Sequence, residues 1–159
     1  MADSLICCFT GHRDILPEHS ESMSAVLDTA VEKLISRGVR IFRAGGAIGF
    51  DTVAALRIIE KKKKYPFLEL HLFLPCKDQS SLWNGFSQEI YEYVLRNADK
   101  VVYTSESFSR GCMLKRNRAL VDGSQICLAY CLKDSGGTAY TVNYAQKKGV
   151  RVLNIAGII

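Results

Sequence analysis

Six short apolar runs alternate with amphipathic stretches along this chain, and that alternation restricts the fold more than any other feature. The runs are 5–10 (LICCFT), 40–44 (RIFRA), 69–74 (ELHLFL), 100–103 (KVVY), 125–130 (QICLAY) and 151–155 (RVLNI). Their Ile, Val, Leu, Phe and Tyr content reads as strands buried in a sheet covered on both faces. Between the first two runs, Met23, Val26, Leu27, Ala30, Val31 and Leu34 recur at three- and four-residue spacing, one apolar face of a helix. Comparable stretches span 50–63, 84–97, 113–122 and 138–148, and Gly38 and Gly149 follow two of the helices where a left-handed cap is wanted. Strand–helix alternation with such short connections implies parallel pairing and right-handed crossovers. The expected fold is α/β: a Rossmann-like, doubly wound, mostly parallel six-stranded sheet with helices on both faces.

The chain shows no repeat, linker or low-complexity segment, so its 159 residues are expected to form a single domain, 1–159. No apolar run approaches the roughly 20 residues that cross a bilayer, and the start MADSLICCFTGHR lacks a basic segment followed by a long apolar one. The expectation is a cytoplasmic protein with no membrane partner. Cys7, Cys8, Cys76, Cys112, Cys127 and Cys131 have mostly apolar neighbours and form no Cys-x-x-Cys pair, and the three histidines are scattered. Buried thiols are expected, with no metal site and no cofactor. The net charge of +5 suits an anionic ligand without requiring one. Its densest cluster, Lys61–Lys64, closes a helical pattern and reads as a solvated last turn that complements the helix dipole rather than as a nucleic-acid patch.

In a doubly wound sheet, ligands bind beyond the carboxyl ends of the strands. The first strand is followed there by Gly11, His12 and Arg13, and the second by Gly45, Gly46, Ala47, Ile48, Gly49, Phe50 and Asp51. The third leads to Pro75-Cys76-Lys77. The fourth leads through Thr104–Ser107 to Arg116, Asn117 and Arg118, and the fifth to Ser135, Gly136, Gly137 and Thr138. Glycines that admit positive backbone angles, followed at once by a helix with unpaired N–H groups, suit phosphate. Neither glycine turn is the G-x-G-x-x-G fingerprint or a P-loop, and a ligand-free tight turn would need the same residues. Thr138 would cap its helix or donate to a phosphate oxygen. Arg116 would grip phosphate in a bidentate manner. The charge of Asp51 would repel phosphate, so it serves either ribose hydroxyls or the first turn of its own helix. His12 is a base, a phosphate donor or a packing residue, and Trp83 stacks on a base or packs on the sheet.

FTGHR, RAGGAIGFDTVAA, LPCKDQSSLW, RNRALVDGS and SGGTAYTVNYA occur in that order and together resemble the YpsA-like family of the SLOG superfamily. The resemblance implies a Rossmann-like domain binding a nucleotide or nucleotide-derived ligand, with Gly45, Gly46, Gly49 and Gly136, Gly137, Thr138 in its pocket. Two related groups imply rival functions. The LOG phosphoribohydrolases carry an Arg on a helix, to which Arg116 is similar, and then P-G-G-x-G-T-x-x-E. Aligned on Gly136-Gly137, this chain has Ser135 for the Pro and Asn143 for the acidic catalytic Glu, and Asn is neither an acid nor a base. Whether the chain is an enzyme is therefore left open. The DprA/Smf group, similar at Arg116–Ser124 and SGGTAYTVNYA, binds single-stranded DNA, but the interleaved aromatic and basic residues of a stacking groove are missing here. A nucleotide-like small molecule is the expected partner, nucleic acid the alternative, and a homo-oligomer is left open.

Overall fold

The computed structural model describes residues 4–80 and 83–159; Ser81 and Leu82 of the LPCKDQSSLW segment lie outside the described residues. The chain runs β1 (Leu5–Gly11), α1 (Pro17–Ser36), β2 (Val39–Ala44), α2 (Phe50–Lys64), β3 (Glu69–Leu74), α3 (Gly85–Asn97), β4 (Lys100–Tyr103), α4 (Cys112–Val121), β5 (Ile126–Tyr130), α5 (Gly137–Lys147) and β6 (Arg151–Asn154). Strands and helices fall where the apolar periodicity puts them, and small boundary shifts have local causes. β5 begins one residue late because the Gln125 side chain accepts the Ile6 N–H at 2.7 Å. β6 stops at Asn154, whose side chain accepts the Ala156 N–H at 3.2 Å and opens a 3-10 turn over Ile155–Gly157.

All strand pairs are parallel, in the order β4-β3-β2-β1-β5-β6. The first four strands wind outward in one direction, and the chain then crosses back past β1 to add β5 and β6. The winding therefore reverses between β1 and β5, which opens a crevice at their carboxyl ends. Right-handed crossovers then put α1, α2 and α3 on one face and α4 and α5 on the other, and the core divides accordingly. Phe9, Phe42, Leu70 and Leu72 pack against Leu27 and Val31 of α1, Ala54 and Ile58 of α2, and Tyr91 and Val94 of α3. A smaller cluster joins Cys8 and Cys127 to Leu120 and Val121 of α4 and Ala145 of α5. Full burial of side chains of this size stabilises by about 1.5–3 kcal/mol each, so the sheet that carries the crevice is held firmly from both faces.

Local signals also operate as expected. Gly38 and Gly149 take positive φ (104° and 76°) after α1 and α5, and Asn84 caps α3 by accepting the Ser87 N–H at 2.8 Å. Trp83 packs edge-on against Tyr91, with ring centroids 5.2 Å apart, and does not face the crevice. All six cysteines are free thiols, five of them buried. The four lysines closing α2 all find carboxylates: Lys61 bridges Asp28 (2.7 Å) and Glu32 (2.8 Å), Lys62 meets Asp99 (2.6 Å), Lys63 meets Glu60 (3.0 Å) and Lys64 meets Glu32 (3.2 Å). No helix among the described residues is long and apolar enough to cross a membrane.

Candidate functional site

A cleft of about 570 Å3 opens at the switch between β1 and β5, within the usual size range of small-molecule sites. Gly11, His12 and Arg13 enter it from the end of β1, Asp51 from the first turn of α2, and Arg116 and Asn117 from α4; Ser135, Gly136, Gly137 and Thr138 complete it from the β5–α5 turn. Ten of the thirteen residues singled out from the sequence thus meet in one crevice.

Gly45, Gly46 and Gly49 do not line it, although Ala47 of the same turn does. Their lack of a side chain has a packing cause. A Cβ on Gly49 would lie 2.1 Å from the Arg13 carbonyl oxygen, and one on Gly46 2.5 Å from Leu74 Cδ2. On Gly45 it would lie 2.7 Å from Arg116 Nη1 and 2.8 Å from Asp51 Oδ2. This turn is pressed against the segment that follows β1, the end of β3 and α4. The β5–α5 turn differs: Gly136 has φ +96° with nothing within 4 Å of a notional Cβ, and the nearest atom to one on Gly137 is Asn117 Nδ2 at 3.9 Å. Gly136 is the N-cap of α5, and no side chain caps that helix. The first intrahelical bond runs from the Tyr140 N–H to the Gly136 carbonyl at 2.9 Å, which leaves the amides of Gly137, Thr138 and Ala139 without an intrahelical acceptor.

Arg116 is 4% exposed, and Nη1 donates to the Gly45 carbonyl and, at 3.5 Å, to that of Phe73, while Nε donates to Asn117 Oδ1 at 2.8 Å. It ties α4 to the ends of β2 and β3 rather than reaching freely for a ligand. Asp51 is 6% exposed beside it. Burial pushes the Asp51 carboxyl up to about 6, although the Arg116 charge and the Ala47 amide both act to lower it. The carboxyl lines the cleft from the first turn of α2 and is held almost entirely out of water. Burial likewise lowers the Arg116 guanidinium from its ordinary value, opposed by Asp51.

His12 joins the two sides of the crevice. Its ring Nε2 accepts the Leu132 N–H at 2.8 Å, and its backbone N–H donates to the Tyr130 carbonyl at 3.3 Å. Accepting a backbone amide requires the neutral ring, and burial together with the Lys133 charge lowers the imidazole pKa in the same sense. Of its open roles, loop packing is the one these bonds describe.

Lys133, Leu16, Met113 and Leu132 also line the cleft, and the sequence reading missed them. For Lys133 a signal existed, since it precedes Ser135 in the same turn; for the three apolar residues there was none, because only the tertiary arrangement leaves them facing solvent. Asn143 borders a separate hollow with Cys131, Ala139 and Gln146. Among the described residues no cluster of three or more His, Cys, Asp or Glu could hold a metal ion.

The architecture is that of a Rossmann-like domain with a crevice at its topological switch point, and sequence comparison narrows the class. The model of the YspA SLOG family (YpsA) matches residues 9–155. The chain belongs to this family. It is 29% identical over 130 residues to an uncharacterized SPbeta prophage-derived protein, YoqJ, of Bacillus subtilis, covering 74% of this chain and 76% of that protein. It is 28% identical over 132 residues to a UPF0398 protein of Bacillus cereus, covering 81% and 72%. Two solved structures share the fold. DNA processing protein A from Helicobacter pylori, described for its single-stranded DNA binding mode, superposes with a TM-score of 0.66 at 17% identity over 93% of this chain. The Streptococcus pneumoniae protein DprA gives 0.69 at 15% identity over 94%. This chain spans 63% of the first and 49% of the second.

Proposed function

We propose that the cleft binds a nucleotide or a nucleotide-derived small molecule, and that the chain is a binding or sensing module for it. The observation that carries this reading is the open Gly136–Gly137 turn at the start of α5, which faces the cleft with its first amides uncommitted. Uncommitted amides at a helix start, with the positive end of the helix dipole behind them, form a phosphate seat. Arg13 and Lys133 add positive charge to the same cleft. Asp51, away from the phosphate seat on the α2 side, accepts hydroxyl protons and suits a ribose. Membership of the SLOG family supports the nucleotide class. Asn143, in place of an acidic group and outside the cleft, disfavours glycosidic hydrolysis of the LOG type.

Thermal-shift titration against nucleoside mono- and diphosphates, ADP-ribose and dinucleotides tests the proposal. A ligand at 100-fold its Kd should add about 2.7 kcal/mol of stability. No response from any phosphorylated nucleoside would overturn the reading, and release of base from AMP at enzymatic rates would replace it by hydrolysis. The single-stranded DNA reading, favoured by the two structural relatives, requires oligonucleotide affinity falling log-linearly with salt, with a slope of about −0.7 per contacted phosphate. With Lys61–Lys64 engaged by carboxylates, only weak oligonucleotide binding is expected.

A further inference from the structure

Leu16, Met113 and Leu132 are large apolar side chains that are 38%, 37% and 43% exposed. They come from three separate places in the sequence: the start of α1, the first turn of α4 and the β5–α5 loop. All three line the same cleft. The other exposed large apolar residues, such as Phe67, Phe86 and Phe108, lie outside it. Solitary exposed apolar side chains need no explanation, whereas three that line one cleft from separate places in the chain mark a contact surface for a ligand. Phe9 and Leu120, which are 0% and 2% exposed, line the same cleft. A bare phosphate has no apolar surface to offer these side chains, and a sugar phosphate offers far less than a base.

We propose that Leu16, Met113 and Leu132 form an aliphatic subsite for the nucleobase, so that the cleft selects base-bearing phosphates over bare sugar phosphates while discriminating little among bases. The inference rests on the nucleotide reading of the cleft and assigns its specificity. Met supplies a flexible, polarizable side chain that repacks around rings of different outline. The exposed contact surface is aliphatic, because among the described residues the only Phe, Tyr or Trp lining the cleft is Phe9, which is fully buried. Recognition by apolar burial gains from any base face and depends little on which hydrogen-bonding edge the base carries. A strand-binding groove, in contrast, uses exposed aromatic platforms for successive bases.

The test is calorimetric titration of the whole chain with AMP, GMP, CMP, UMP and ribose 5-phosphate, repeated on Met113→Ala, Leu132→Ser and the double variant. Both residues are more than a third exposed, so the variants should melt like the parent. The four mononucleotides should bind within about tenfold of one another, and AMP at least about tenfold more tightly than ribose 5-phosphate. The double variant should lose most of that advantage while its affinity for ribose 5-phosphate stays within about twofold. Equal binding of AMP and ribose 5-phosphate by the parent would overturn the base subsite and leave the phosphate site standing. A double variant that weakens both ligands equally would overturn it too. Failure of all five compounds to bind would overturn this inference, while the nucleotide reading would stand or fall with the diphosphates, ADP-ribose and dinucleotides.

Discussion

The two glycine turns of this chain look alike in sequence and do different work. Gly45–Gly49 and Gly136–Gly137 each follow a buried strand and open a helix. In the first, notional Cβ atoms fall 2.1–2.8 Å from Arg13, Leu74, Arg116 or Asp51; in the second, they meet nothing closer than 3.9 Å. Protein presses on the glycines of the first turn, whereas in the second Gly136 answers to its positive φ and open space surrounds both glycines. A glycine in a strand–helix turn therefore identifies close approach without saying what approaches, and only the neighbouring elements decide between a wall and a ligand.

Substitution separates the two causes most sharply at Gly49. With φ +95° and a backbone oxygen 2.1 Å from the added methyl, neither strain nor clash can relax through a side chain. Gly49→Ala should cost about 3 kcal/mol or more in chemical denaturation. Gly137→Ala should leave stability within about 1 kcal/mol, since an alanine suits a helix start at an ordinary backbone angle. Comparable losses in both variants would erase the contrast.

Arg116→Ala should rank next. It removes the donor to the Gly45 carbonyl and leaves the Asp51 carboxylate buried without its nearby cation, a loss of about 3 kcal/mol. The paired change with Asp51→Asn should recover part of it. Additive losses in the double variant would show that the two groups are not coupled through the first turn.

Asp51 alone gives a smaller effect with a definite pH signature. Its folded-state pKa of about 6 lies above the ordinary 3.8, so the folded protein holds the proton more tightly than the unfolded chain. The associated stability is fully present below about pH 4 and is lost as pH rises through about 6. Asp51→Asn should flatten that slope, raise stability at pH 7.5 by about 1–3 kcal/mol, and weaken the ligand. An unchanged pH profile would place the carboxyl in contact with water. The smallest effect belongs to His12, which supports the second turn through the Leu132 amide. Its pKa is lowered, so its contribution is present above about pH 6.5 and disappears as pH falls through the folded value. His12→Ala should cost about 1 kcal/mol at pH 8 and remove this dependence.

The sequence disclosed the elements and their parallel pairing because burial on both faces of a sheet leaves a local trace in every strand. It also disclosed which loops would converge, since the carboxyl edge follows from strand direction alone. It could not separate the two glycine turns, because Leu74 and the Arg13 carbonyl are remote in sequence from the glycines they crowd. Arg116 reads as a phosphate ligand from its position at a helix start, whereas its guanidinium turns inward to the Gly45 carbonyl. The exposure of Met113 at apparently ordinary helical spacing likewise depends on what α4 is packed against.

The central claim is that ligand phosphate rests on the β5–α5 turn and not on the β2–α2 turn. An amide-resolved NMR titration of the 15N-labelled chain with AMP tests it most directly. The account predicts that the largest shifts fall on the amides of Gly136, Gly137 and Thr138, with those of Gly45 and Gly46 changing little. Saturable shifts centred on Gly45 and Gly46, with Gly136–Thr138 unmoved, would contradict it.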